Sequence, residues 1–296
     1  MNKTAENWDL ARAFLAVAEA GSLSGAARAL GLTQPTVGRQ IAEFEAQLGV
    51  PLFTRSRHGV RPTQAALDLK PHVETVAAAM AAMRRAASGE AGEARGTVRL
   101  TASEFMGAAV LPPVLARFHD KHRGIAIELA LSNRITDLLR HEADIAVRMV
   151  RPDQGALVAR HIGRLPISLY AHRDYVARRG MPTTLEELTT HAVIGFDADP
   201  WGARALAAQG VPVTRDMFTL RTDSDIAQLE ALRAGYGIGG CQDAFARRDP
   251  NLVRVMPGAL DIALDCWLVM HEDLRDSRRV RLLFDHLAAE LTAYLK

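Results

Sequence analysis

Cysteine is scarce in this chain of 296 residues: there are two, Cys241 and Cys266, 25 positions apart and in no CxxC spacing. That count and spacing argue against a disulfide framework and a thiolate metal site, and reduced, buried thiols are expected. Long apolar runs are missing too. No stretch reaches the roughly 18 residues of a membrane-spanning helix. The opening MNKTAENWDLARAF has no charged segment followed by an apolar one, so no signal peptide is expected. Charge of one sign is equally short. A formal net charge of +2 is too small to make the whole molecule a polyanion binder, so any basic surface must be local. With 48% hydrophobic and 24% charged residues the composition is that of a soluble globular protein, and we expect a cytoplasmic one with no membrane partner. The length favours about two domains.

Catalytic signals are also lacking. Gly235-Tyr236-Gly237-Ile238-Gly239-Gly240 looks like a dinucleotide loop, but it follows a predicted helix and leads into a strand, the reverse of the order such a loop needs. His119 and His122 sit three apart with no third ligand nearby and read as surface residues. The segments HEADI and HEDLR lack the second histidine of a zinc protease helix, and no G-x-S-x-G elbow occurs. No catalytic residue, metal or cofactor is expected, and an enzyme is unsupported.

What is present begins between residues 7 and 62, where short helical patterns alternate with glycines. Leu10, Phe14, Val17 and Ala18 form one apolar stripe that Gly21 is placed to end. Ser22 caps a second short helix holding Ala26, Ala27 and Leu30, which Gly31 ends. Thr33 caps a third, with Pro35 in its first turn. There Val37, Ile41, Phe44 and Leu48 recur at helical spacing and are expected to share one buried face. Pro35, Thr36, Gly38, Arg39, Ala42 and Glu43 would face outward. The alanines let the third helix cross the second closely. This is a helix-turn-helix, whose second helix can enter the major groove.

After Gly49, PLFTRSRHGVRP reads as a hairpin turning at Ser56–Gly59, with Arg55, Arg57 and Arg61 on or near it. Those arginines suit phosphate contacts, which give affinity and salt dependence. On the reading helix, Gln34 could bond adenine, Thr36 touch a thymine methyl, and Arg39 reach guanine or a phosphate. Ser22 and Ser24, at the start of the preceding helix, complete the DNA-facing set.

From Thr63 an alanine-rich run places Ala66, Leu69, Val73, Val76, Met80, Met83 and Ala87 on a heptad seam. It suits pairing with a second copy, or packing on its own domain. Pro71 inside it is expected to bend the helix, and SGEAGEARG supplies a hinge. Beyond Gly96, strands are predicted at 97–102, 125–131, 144–149, 167–171, 192–196 and 266–270, with helices between them, notably 107–121 and 225–234. This alternation predicts α/β architecture with mainly parallel sheets, and a ligand site where strands end and helices begin.

The run FLAVAEAGSLSGAARALGLTQPTVGRQIAEFEAQLGVPLFTR closely resembles the winged helix-turn-helix of LysR-type transcriptional regulators. Ala26-Ala27, Leu30, Gln34-Pro35, Val37, Arg39-Gln40, Glu45, Leu48-Gly49, Leu52-Phe53 and Arg55 carry the likeness. It continues more weakly through GTVRLTAS, LPPVLARFHDKH, ADIAVR, RAGYGIG and the closing WLVMHEDLRDSRRVRLLFDHL. The resemblance implies a winged helix-turn-helix over residues 6–63, a linker helix and hinge over 64–92, and an effector domain over 93–296. That domain would resemble periplasmic binding proteins, with one lobe from 93–165 and 268–296 and another from 166–267. Strands near 167–171 and 266–270 would cross between the lobes as the hinge.

The same resemblance implies a homodimer or homotetramer on a palindromic double-stranded operator, a small-molecule effector, and RNA polymerase as an admissible partner. Thr101-Ala102-Ser103 at a strand end would seat a carboxylate. By position in the family, Ser132, Asn133, Arg148, Phe196 and Thr222 would line the same cleft, with Cys241 on the second lobe's wall. Arg148 facing Ser103 would suit a small organic anion. Arg148 paired with Asp144 or with a surface acid, and Phe196 as a core residue, are the alternatives. Two departures stand out: Gly38 where the family usually has serine, and Cys241-Gln242 where it commonly has leucine-proline.

Overall fold

Three short helices open the chain, each stopped by a glycine in the left-handed region. They are α1 (Trp8–Ala20), α2 (Leu23–Leu30) and α3 (Gln34–Leu48). Gly21, Gly31 and Gly49 follow them with φ of 61°, 67° and 71°, a conformation that costs a residue with a Cβ. The computed structural model describes residues 8–56, 59–87, 94–133, 143–151, 157–198, 207, 214–259 and 262–296. They divide near Arg84 into two compact units.

In the first unit the hydroxyl of Ser22 caps α2 by accepting the Gly25 N–H at 3.1 Å, and Thr33 caps α3 by accepting from Thr36 at 3.4 Å. Phe14 and Val17 of α1, Ala26 and Ala27 of α2, and Val37 and Ile41 of α3 make the core. Leu48 does not join them. It is 43% exposed, because the last residue of α3 lies past the edge of that core.

A hairpin of β1 (Phe53–Ser56) and β2 (Gly59–Pro62) follows, paired from Phe53↔Pro62 to Ser56↔Gly59. It is tied down at both ends. One oxygen of the Glu45 carboxylate accepts the N–H groups of Leu52 at 2.6 Å and Phe53 at 3.0 Å, and Val60 N–H reaches the carbonyl of Gly21 at 3.0 Å. Helix α4 (Gln64–Ala87) then runs through Pro71 without a break. The seam on α4 is divided. Ala66, Leu69 and Val73 pack on the helix-turn-helix core, while Val76 and Met83 are 50% and 59% exposed.

The second unit begins as a β–α repeat. Strand β3 (Gly96–Ala102) leads through a π-type turn at Met106–Val110 into α5 (Leu111–Lys121), then β4 (Ile125–Leu131). Next come β5 (Ile145–Arg148), the long β6 (Leu157–His172), α6 (Arg173–Arg179), and the short β7 (Ile194–Gly195) and β8 (Leu220–Arg221). The chain closes with α7 (Asp225–Arg233), β9 (Ile238–Gln242), α8 (Asp243–Ala246), β10 (Leu252–Val255), β11 (Ile262–His271) and α9 (Arg278–Leu295). The main sheet has the order β10-β6-β11-β5-β3-β4, and β9 also pairs with β6.

The expectation of mainly parallel sheets is corrected here. β3 runs parallel to β4 and β5, and β7 to β8, but β6 and β11 pair antiparallel with each other and with their other neighbours. Two long strands that carry the chain out and back impose that direction. β6 pairs with β11 over Leu157–Ile167, and with β9 and β10 over its last residues. The register slips between Cys266 and Trp267, so Ile162 bulges out beside Gly163. Gly163 has a φ of 153°, a conformation that side chains rarely adopt, and a Cβ there would meet only the end of the Leu295 side chain, at 2.8 Å.

The two largest groups of buried residues in this unit flank these long strands. Leu100, Ile145, Val147, Leu268, Phe118 and Leu287 belong to one, on β3, β5, β11, α5 and α9. Tyr170, Ile194, Leu229, Leu232 and Cys241 belong to the other, on β6, β7, α7 and β9. Among the described residues, no helix is long and apolar enough to cross a membrane.

Candidate functional site

The surface at the N-termini of α2 and α3 is built by capping. The hydroxyls that cap these helices also bind locally: Thr33 and Thr36 share a hydrogen bond at 2.7 Å, and Ser22 accepts from Gly25. Ser24, Thr33, Gln34, Pro35 and Arg39 are exposed, and Thr36 and Gly38 are half-buried. Val37 and Ile41 on the opposite face hold the helix against α1 and α2. Gln34 and Pro35 start α3, where the positive end of the helix dipole favours an anion such as phosphate. Beside this surface stands the hairpin. Arg61 is exposed on β2 and Arg55 lies in β1, while Arg57 falls outside the described residues.

In the second unit, the strand ends β3, β4 and β5 are sorted by alternation. Thr101 pairs with Ala146, and Arg148 lies two residues on, so both side chains share one face. Arg148 is 8% exposed, and its Nη2 donates to the Thr101 hydroxyl at 3.0 Å while Nη1 donates to the carbonyl of Val147. Ser103, two residues beyond Thr101, is half-buried, and its carbonyl accepts the Gly107 N–H. Asp144 accepts from the N–H of Arg99 at 2.8 Å, which holds β5 against β3.

Ala102 faces the other way. Its side chain lies in the buried cluster with Leu100 and Val147, and its carbonyl accepts the Ser132 N–H at 2.9 Å. The Ala102 side chain is therefore turned away from the face that Thr101 and Arg148 share. Cys241 is buried as well. It is 2% exposed and packs with Ile194, Leu229 and Leu232, and burial pushes its thiol up to about 12.

On the opposing side, Phe196 is half-buried after β7. Thr222 donates its N–H to Gly195 O at 3.0 Å, and the Asp223 carboxylate accepts from Asp197 and Ala198. Two hydrogen bonds span the mouth between these sides. Ser224 Oγ donates to Glu104 Oε2 at 3.2 Å, and Asn133 Nδ2 to Asp225 Oδ2 at 3.4 Å. Asn133 Oδ1 also accepts the Glu104 N–H at 3.0 Å. Sequence reasoning included Asn133 and Thr222 but missed Glu104, Ser224 and Asp225. Ser224 could have been found, since a serine directly before a predicted helix is a capping signal. Only the fold brings Glu104 to it, 120 positions away.

The ensemble offers hydroxyls, amides, one buried guanidinium and acids at the mouth, with no nucleophile–base pair among these contacts.

Comparison with known proteins follows this division. Residues 8–67 match the family model described as "Bacterial regulatory helix-turn-helix protein, lysR family", and residues 91–292 match "LysR substrate binding domain". The uncharacterized HTH-type transcriptional regulator YhjC of Escherichia coli (strain K12) is 28% identical over 289 residues, 95% of this chain and 97% of that protein. Among solved structures, the full-length Vibrio cholerae virulence activator AphB, a member of the LTTR protein family, aligns with a TM-score of 0.63 at 24% identity. The alignment covers 96% of this chain and 99% of that one. CbnR complexed with its target DNA aligns with a TM-score of 0.67 at 16% identity, over 96% and 99%.

Proposed function

The chain belongs to the LysR family of bacterial regulatory helix-turn-helix proteins, and from that membership we propose how it reads DNA and what it senses. It is a transcriptional regulator with an effector-binding domain. In our reading, α3 enters the major groove of a palindromic operator, with Gln34, Thr36 and Arg39 at the bases and Arg55, Arg57 and Arg61 at phosphates. The observation that carries this is the exposed N-terminal face of α3 beside a hairpin braced by Glu45. A relative of the same fold, CbnR, is solved with its target DNA, which supports the mode of use.

The exposed Val76 and Met83 of α4 support pairing with a second copy. Both are about half exposed, so burying the remainder is worth roughly 1 kcal/mol each. The protein would then act in the cytoplasm as a homodimer or homotetramer. The cleft bounded by Thr101, Ser103, Ser132, Asn133 and Arg148 on one side, and Phe196 and Thr222 on the other, would take a small carboxylate. Arg148 supports that choice, being the guanidinium on the Thr101 face. Closure of the cleft would bias the arrangement of paired DNA-binding heads, since a ligand acts only through unequal affinity for two states.

Two variants test the halves separately. Arg39→Ala should weaken operator binding about tenfold or more in fluorescence anisotropy, with the effector domain still folded. Wild-type affinity at matched salt would mean another face reads DNA. Arg148→Ala should abolish the effector response and leave DNA binding in place. Calorimetric effector affinity equal to that of the wild type would remove Arg148 from the site.

A further inference from the structure

The indole Nε1 of Trp267, on β11, is a buried donor that has no hydrogen-bond partner among the described residues. Buried polar groups in folded proteins are nearly all hydrogen-bonded, so such an orphan needs a physical reason. Its place in the sheet supplies one. Trp267 stands directly opposite Arg148 across the antiparallel pair of β11 and β5. Residues so paired send their side chains to the same face, with Cβ atoms about 4.5–5.5 Å apart. The burial pattern agrees. Val269 and Ala146, the next pair on that face, are buried with Trp267 packed against them, while Leu268 and Val147 between the two pairs belong to the core on the other face.

Neighbouring side chains fix the indole. His161 of β6 faces Trp267 from the other side of β11, and the two rings meet at 4.7 Å. His161 Nε2 in turn shares a hydrogen bond of 3.1 Å with Asp265. The guanidinium of Arg151 lies 5.8 Å from the indole centroid. A row of side chains thus crosses the sheet from His161 through Trp267 to Arg148, which reaches on to the Thr101 hydroxyl. The row passes the C-terminal end of β5, the end at which open α/β sheets hold their ligands.

An indole N–H and a guanidinium can only donate. Two such groups side by side on one face fit an acceptor with two oxygens, and a carboxylate can divide its oxygens between them. We propose that Trp267 is a further effector-binding residue, whose Nε1–H takes one oxygen of the carboxylate that Arg148 receives. The pair selects a carboxylate over an amide or alcohol of similar shape, which presents a single acceptor oxygen. This rests on the reading of Arg148 as the seat of the effector's carboxylate. Trp267 also adjoins the register slip at Cys266, so a ligand held here is fastened to the long strand β11 as well as to β3 and β5.

Full-length protein isotopically labelled at its tryptophan indole nitrogens gives three N–H signals in magnetic resonance, and Trp267→Phe identifies one of them by its loss. Sodium acetate, the carboxylate alone, should move that signal downfield and raise the Tm of the effector domain. Acetamide, and sodium chloride at equal ionic strength, should do neither. Folded Trp267→Phe, which keeps an aromatic body without the donor, should need about tenfold more acetate for the same rise in Tm. Folded Arg148→Ala should show no rise. Full acetate affinity in Trp267→Phe overturns the proposal, and so does a wild-type Trp267 signal that acetate leaves in place; a response that still depends on Arg148 then keeps the cleft. Should Trp267→Phe not fold, the wild-type indole signal, assigned from a folded Trp267→Tyr, decides. No response in the wild type, or an unchanged one in Arg148→Ala, overturns the cleft reading and this proposal with it.

Discussion

Gly38 lies inside α3, where glycine is a poor helix former, and nothing around it requires one. Its φ is not in the left-handed region, and a Cβ would come no closer than 3.9 Å to Leu23. Gly38→Ala should therefore stabilise the DNA-binding unit by up to about 1 kcal/mol, read as a higher Tm in calorimetry. An unchanged Tm would mean that packing alone holds this turn of α3. Other residues were less legible. Leu48 kept the helical spacing of Val37 and Ile41, but spacing does not say where a core ends. Ala102 and Ser103 are adjacent in sequence, and strand alternation sends only one of them toward the cleft. The buried thiols are the contrary case: Cys241 and Cys266 sit where their sparse spacing suggested, each pushed up to about 12 by burial.

Among the elements, the hairpin shows how a short strand pair is held by something outside itself. Two strands of four residues are marginal alone. Glu45 contributes by accepting two backbone N–H groups with one charged oxygen. Glu45→Ala leaves both donors unmet and should cost about 1–3 kcal/mol, with a matching loss of operator affinity as the arginines lose their position. Thermal melts and anisotropy on one preparation would check both. Normal stability in the variant would show that the Gly21–Val60 contact suffices. The helices and the strands at 125–131 and 96–102 were readable from periodicity. The first ten residues of β6 were not. LVARHIGRLP mixes Arg160, His161, Gly163 and Pro166, and only pairing with β11 makes it a strand. The seam of α4 was legible as a stripe. Its division between the core and solvent was not.

At the scale of the molecule, two compact units predict two calorimetric transitions rather than one. Tyr294→Phe distinguishes them. The change leaves buried Gln242 Oε1 without its donor and should lower the effector-domain transition by about 1–3 kcal/mol, with the DNA-binding transition in place. A single shifted transition would mean that the two units unfold together. The partners of Gln242, Tyr294 and Met106, come from 52 residues after it and 136 before it.

Local order was written in the chain itself: helix caps at Ser22 and Thr33, glycine stops, the basic hairpin and the β–α alternation are near-neighbour properties, and family likeness follows from their spacing. Tertiary structure alone decided the rest. Which face each strand residue takes, the antiparallel return of β6 and β11, the bridge from Glu104 to Ser224 and the pairing of Trp267 with Arg148 all depend on contacts between distant positions. Pattern reports a residue's period along its own element; register and packing determine what it meets.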